Sequence, residues 1–204
     1  MTAEVDICNL ALSHLGDDAT VTSISPPEGS AQSQHCAIFY PVARNAMLEA
    51  HDWGFATTRI KVAVRQKDYC GWRFVYAVPA DVVRIISVKP ELVCKDESTP
   101  SVPYQTERGT DGAMIVFCDH PDIVIRYTTL ITDPNRFPPL FAITLSWYLA
   151  SMLAGPILKG DAGAAQARQC LSMVQMYLGQ AAASDANQNQ TKERHTPEWM
   201  RERR

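Results

Sequence analysis

Between Pro138 and Leu158 the chain carries no charged residue, and its centre, from Leu140 to Ala154, is interrupted only by small hydroxyl side chains. A segment this apolar goes into a bilayer or into the middle of a protein. A membrane span needs about 20 predominantly apolar residues, a length this run barely reaches. Thr144, Ser146, Ser151 and Gly155 dilute it, Pro138 and Pro139 open it, and Pro156 closes it. A helix apolar around most of its circumference is also what the centre of a helical bundle requires. The run is read as a buried core helix ending at Pro156, with no membrane association, and the rest of the chain must supply its shell.

Three segments have the spacing to do so. From about Ala3 to Leu15, Cys8, Ala11, Leu12 and Leu15 form one stripe, with Thr2 as N-cap candidate, Glu4 and Asp6 in the first turn and Gly16 as the stop. After the Pro26-Pro27-Glu28-Gly29 breaker, Ser30 caps a second helix to about Ala50, with Cys36, Phe39, Tyr40, Ala43, Met47 and Ala50 inward. Pro41 lies inside it, removes one backbone donor and predicts a kink. Trp53 and Phe55 close the segment as packing anchors. A last helix starts near Asp161, its N-cap candidate, and presents Ala164, Ala167, Leu171, Val174 and Leu178, widened by Cys170, Met173 and Tyr177, as a seam for a neighbouring helix.

The middle of the chain has another period. Ile60, Val62 and Val64 alternate with Arg59, Lys61 and Arg65, as in a strand with one buried face. Arg73–Val78, Val82–Val88, Val102–Glu107, Ala113–Cys118 and Ile123–Thr129 are further strand candidates, and Trp72 and Tyr76 are the anchors among them. Short connections favour antiparallel pairing into a small sheet or sandwich, with Glu91–Pro103 as a possible projecting hairpin. Phe137 and Trp147 are the anchors of the returning helical segment. The fold class is therefore α+β: a bundle of about four helices (1–56 and 137–183), the second kinked, a central antiparallel β-rich unit (57–136), and an extended arm (184–204). The arm is Asn, Gln and nearly balanced charge; Trp199 and Met200 are its sizeable apolar groups, flanked by Arg201, Arg203 and Arg204.

Chemistry-bearing patterns are scarce. There is no G-x-S-x-G, no phosphate-binding glycine loop and no H-E-x-x-H. Cys118-Asp119-His120 places three ligand types in a row, but neighbours on a strand face opposite ways and Pro121 makes this a strand end. Asp17-Asp18 reads as a solvated loop pair rather than a cation site. Six scattered cysteines, without C-x-x-C or a recognisable signal peptide, read as free thiols in a reducing compartment. Net charge of −3 gives no drive toward phosphate backbones. No catalytic residue, metal or cofactor is expected.

Several ordered signatures resemble one family. These are Ile7-Cys8-Asn9-Leu10-Ala11-Leu12 with Leu15-Gly16; Cys36, Tyr40-Pro41, Ala43-Arg44 and Leu48 leading to Trp53-Gly54-Phe55-Ala56; Trp72, Tyr76, Pro79-Ala80-Asp81 and Arg84; and Phe137-Pro138-Pro139-Leu140-Phe141 followed by Leu149-Ala150 and Leu153-Ala154-Gly155-Pro156. Together, across residues 4 to 160, they resemble the head-to-tail adaptors of short-tailed phages, also called tail tubular protein A. The resemblance implies a virion protein of the neck, assembled in the host bacterial cytoplasm, forming a ring of about twelve copies by a heterologous contact that closes. A portal protein would lie above it and a tail nozzle or tube protein below, with DNA passing through the channel without sequence-specific binding. The arm, with Trp199, Met200, Arg201, Arg203 and Arg204, is the expected portal contact. Two other readings stand beside this one: another neck, tube or completion protein of the same particle, and a cytoplasmic enzyme or small-molecule binding protein using a cleft between helices and sheet.

Overall fold

The structure, a computed structural model, describes residues 3–18, 20–94 and 99–188. Helix α1 spans Glu4–His14. The expected cap Thr2 lies outside the described residues; Ala3 holds the N-cap position, and its N–H donates to the Asp6 carboxylate at 2.7 Å. Gly16, at φ +74, makes the turn that lets the Asp17 N–H reach the Leu12 carbonyl. The Asn9 amide then clamps the following loop, donating to the Val21 carbonyl and accepting from the Val21 N–H.

Helix α2, Ala31–Glu49, starts where Ser30 accepts from the Ser33 N–H. It buries Cys36, Tyr40, Ala43, Met47 and also Leu48, while Phe39 is half-buried and Ala50 is exposed, outside the inward face expected for it. Helical geometry runs unbroken through Pro41, whose ring sits on the exposed side, so this residue is no packing anchor. The missing donor falls where water can serve the carbonyl one turn back.

Helix α3, Pro139–Leu158, is the central element, packed against α1, α2 and α4, where α4 spans Gly160–Gln188. It is long and apolar enough to cross a membrane, and half of its most apolar window is buried inside the protein. Pro156 does not end it. Only the Met152 carbonyl loses a donor so close to the C-terminus, and the helix reaches Leu158. The stop is Lys159, at φ 55, which alone separates α3 from α4. Asp161 therefore lies in the first turn of α4 rather than at its N-cap.

The expected seam of α4 holds in part: Val174 and Cys170 are buried, and Ala167 and Leu178 pack half-buried against the bundle core. Gly163, Ala181 and Asp185 are buried as well, whereas Ala164 and Leu171 are exposed. At the start of α4 the backbones approach closely: a Cβ on Gly163 would stand 2.8 Å from the Ala154 carbonyl oxygen, so only glycine fits there. The helix also runs past Ala183 to Gln188, so 184–188 belong to the bundle and not to an arm.

Among the described residues the β-rich part holds seven strands in two antiparallel sheets. One has the order β1-β7-β4, from Thr57–Lys61, Ile123–Thr129 and Val82–Pro90. The other is β2-β3-β6-β5, from Val64–Tyr69, Trp72–Ala77, Met114–Cys118 and Tyr104–Arg108. Tyr76, Val116 and Cys118 of the second sheet meet Val88, Ile123, Ile125 and Tyr127 of the first, giving a sandwich core. The run expected as one strand around Ile60–Arg65 is divided between the two sheets. Ile60 and Val64 are exposed on edge strands, and only Val62, between them, is buried in the shared core. Glu91–Val93 forms a 3-10 turn and the described part of 91–103 holds no strand; 95–98, the middle of the expected hairpin, lie outside the described residues.

Candidate functional site

The end of the bundle where α2 runs out, α3 begins and α4 finishes is the most elaborated corner of the protein. Trp53 is fully buried there, and its indole N–H donates to the Met47 carbonyl at 2.8 Å, fastening the connection to the end of α2. Phe141 meets Trp53 edge-on at 5.1 Å between ring centres, and Phe55 and Phe137 complete the cluster. From the other side α4 delivers Asp185. Its carboxylate accepts from the Gly54 N–H at 2.9 and 3.0 Å and lies 3.9 Å from Nε2 of His51. One carboxylate thus ties the last turns of α4 to the chain leaving α2.

Beside this tie lies an open cleft of about 260 Å³. Trp53, Pro138, Pro139, Leu140 and Phe141 form its apolar side, while Ser184, Asp185 and Gln188 edge it from α4. An apolar wall with a few polar groups on one side suits a side chain or small ligand with a polar flank. Asp185 and His51 lie against the aromatic cluster, and Asp185 is already committed to the Gly54 N–H.

The aromatic anchors expected from sequence divide between regions. Trp53, Phe55 and Phe137 come together in this corner. Trp147 instead stacks flat on His14, 3.6 Å between ring centres, and the Ser146 hydroxyl lies 3.1 Å from His14 Nε2. Burial holds the His14 imidazole below its ordinary pKa. Tyr76 is buried in the sandwich, where its hydroxyl donates to the His120 carbonyl and burial pushes it up to about 12. Trp72 packs on a small cluster of Val75, Ile115 and Phe117 on the sheet's other face. Trp199, Met200, Arg201, Arg203 and Arg204 lie outside the described residues.

The remaining candidates are structural. Cys118 is buried, the Asp119 carboxylate accepts from the Arg73 N–H, and His120 offers its carbonyl to Tyr76, so the triplet is a strand end held by its neighbours. Asp17 accepts from the Gln32 side chain. Among the described residues no group of three His, Cys, Asp or Glu side chains could hold a metal ion. The six cysteines are free, and the adjacent Cys36 sulfur together with burial pushes the Cys8 thiol up. Both sulfurs are fully enclosed between α1 and α2.

Two features had gone unread in the sequence. Asp185 continues the α4 seam four residues after Ala181, and a carboxylate at a seam position demands a partner. Ile38 and Val42, one turn apart on α2, are 62% and 55% exposed and form an apolar pair on the outside of the bundle. No family model matches the chain, and no curated protein matches it.

Proposed function

We propose that this chain is a virion structural protein, the head-to-tail adaptor of a short-tailed phage, working as one subunit of a ring beneath the portal. The observation that carries it furthest is the apolar pair Ile38 and Val42, left exposed on α2 beside Pro41. Exposed aliphatic side chains grouped on one helix face mark a surface that another protein covers. In a closed ring that partner is the next copy, through a heterologous contact burying on the order of 1,200–2,000 Å². The ordered signatures across residues 4 to 160 support the same reading from the sequence side. The ring joins portal to tail tube and leaves a channel for DNA, and the arm carrying Trp199, Met200, Arg201, Arg203 and Arg204 is its portal contact.

Electron microscopy of the full chain mixed with portal rings from the same genome tests this. A second tier of density under the portal, with matching rotational symmetry, is the expected result. Bare portals beside an unchanged chain would end the adaptor reading. A companion chain truncated after Gln188 keeps the Asp185 tie, and should fold normally yet fail to attach; normal attachment would remove the arm from the interface.

A further inference from the structure

We propose that the cleft at the bundle end is a docking site for the chain's own C-terminal segment, with Trp199 and Met200 seated against Pro138, Pro139 and Leu140. The inference is independent of the adaptor reading, since it concerns the free chain. Three observations converge on it. The first is size: a cleft of about 260 Å³ falls below the roughly 300–1,000 Å³ of pockets for drug-sized ligands, and suits one large aromatic side chain with part of a neighbour. The second is position. Gln188, the last described residue, is itself on the cleft's edge, so the remaining chain departs from the rim of the site.

The third is chemistry. From residue 189 onward, Trp199 and Met200 are the only large apolar side chains, and they are adjacent. An indole finds proline rings and aromatic edges to pack on in the cleft, the surfaces it prefers. Beyond Met200 come Arg201, Arg203 and Arg204, while the polar side of the cleft carries the Asp185 carboxylate. Reach is not limiting. Ten residues separate Gln188 from Trp199, and an extended chain spans about 3.3–3.6 Å per residue, several times what crossing a side-chain-sized cleft requires. A tethered segment of this length meets its own site at an effective concentration on the order of millimolar, ahead of any segment from a second copy at ordinary protein concentration.

Fluorine NMR on the full chain labelled with 5-fluorotryptophan reads this out, because the chain has four tryptophans and Trp199→Ala identifies one resonance. The Trp199 signal is expected to be insensitive to exchanging H2O for D2O, and to stay so on hundredfold dilution at monomer mass. Leu140→Glu, on the cleft's apolar side, should turn it solvent-sensitive. If that variant does not fold, Ser184→Arg on the exposed rim serves the same purpose. Trp199→Ala should in addition move the Trp53 signal. A solvent-sensitive Trp199 in the unaltered chain overturns the proposal. So does protection that appears only where the mass doubles, which assigns the cleft to a second copy, or protection that survives both cleft substitutions in a folded chain.

Discussion

The two halves of this protein solve the burial problem differently. The helices share a single continuous core, to which α1, α2, α3, α4 and the aromatic corner all contribute. The strands have a thinner one: a sandwich interior built by two small sheets, plus a satellite of Val75, Ile115, Phe117 and Trp72 on one outer face. In the bundle, one element, α3, touches every other helix, so disturbing it or its close partners is felt throughout. In the sandwich the central strands β7 and β6 are largely buried and β3 partly so; of the edge strands, β1, β2 and β5 are exposed along most of their length while β4 is half-buried to buried. Stability is therefore concentrated in the bundle and graded across the sandwich. Where a side chain sits predicts its worth better than its chemical type.

Two tryptophans make the sharpest contrast. Trp53→Ala removes a fully buried ring from the bundle corner and leaves the Met47 carbonyl without its donor. It should cost about 3–5 kcal/mol, enough to consume much of the stability of a domain this size. Trp72→Ala takes away a half-buried ring at the end of a strand, and the cost should be nearer about 1–2 kcal/mol, in proportion to the apolar area lost. Urea unfolding of both, at constant m-value, checks the pair. Equal losses would break the comparison, since they would mean the satellite cluster matters as much as the bundle corner.

A smaller effect probes how tightly the bundle is joined. Gly163→Ala would place a Cβ 2.8 Å from the backbone oxygen of Ala154, with no side chain able to rotate away. Helix propensity favours alanine by about 1 kcal/mol, and overpacking opposes it by about 1–3 kcal/mol. The balance should fall on the destabilising side, with a lower thermal midpoint. A midpoint that rises would show that α3 and α4 can part at this crossing at little cost, and that the bundle is looser than its glycine contact indicates.

The same difference decides what could be read from the sequence. Helix α3 announces itself through an uncharged run, and the cap at Ser30 and the stop at Gly16 follow from residue chemistry. Trp53, Phe55 and Phe137 were legible as anchors because large aromatics in short connections must pack. Asp185 was not, because it lies past the point where the apolar pattern fades, in a stretch of Ser, Asn and Gln that composition assigns to an arm. Its partner is the distant Gly54 N–H, which no local pattern shows. The exposure of Ala164 and Leu171, alone among the expected seam residues of α4, escaped for a related reason. Leucines attract attention, but the helices approach closely at Gly163, a residue without a side chain, in a contact with Ala154 that no local period encodes.

The subtlest case is the alternating run from Ile60 to Val64, and it also carries the smallest expected effects. Alternation reports that one set of side chains shares a face; it does not report that the face is covered. Here the chain leaves one sheet at Lys61 and enters the other at Val64, so three valine and isoleucine side chains that look equivalent in sequence have unequal surroundings. Val62→Thr puts a hydroxyl into the sandwich core and should cost about 1–3 kcal/mol. Ile60→Thr and Val64→Thr, at positions 38% and 41% exposed on edge strands, should each stay within about 0.5 kcal/mol of the parent. Chemical denaturation of the three single variants distinguishes one buried position from a buried face. Three comparable losses would mean that another surface covers the edge strands in solution.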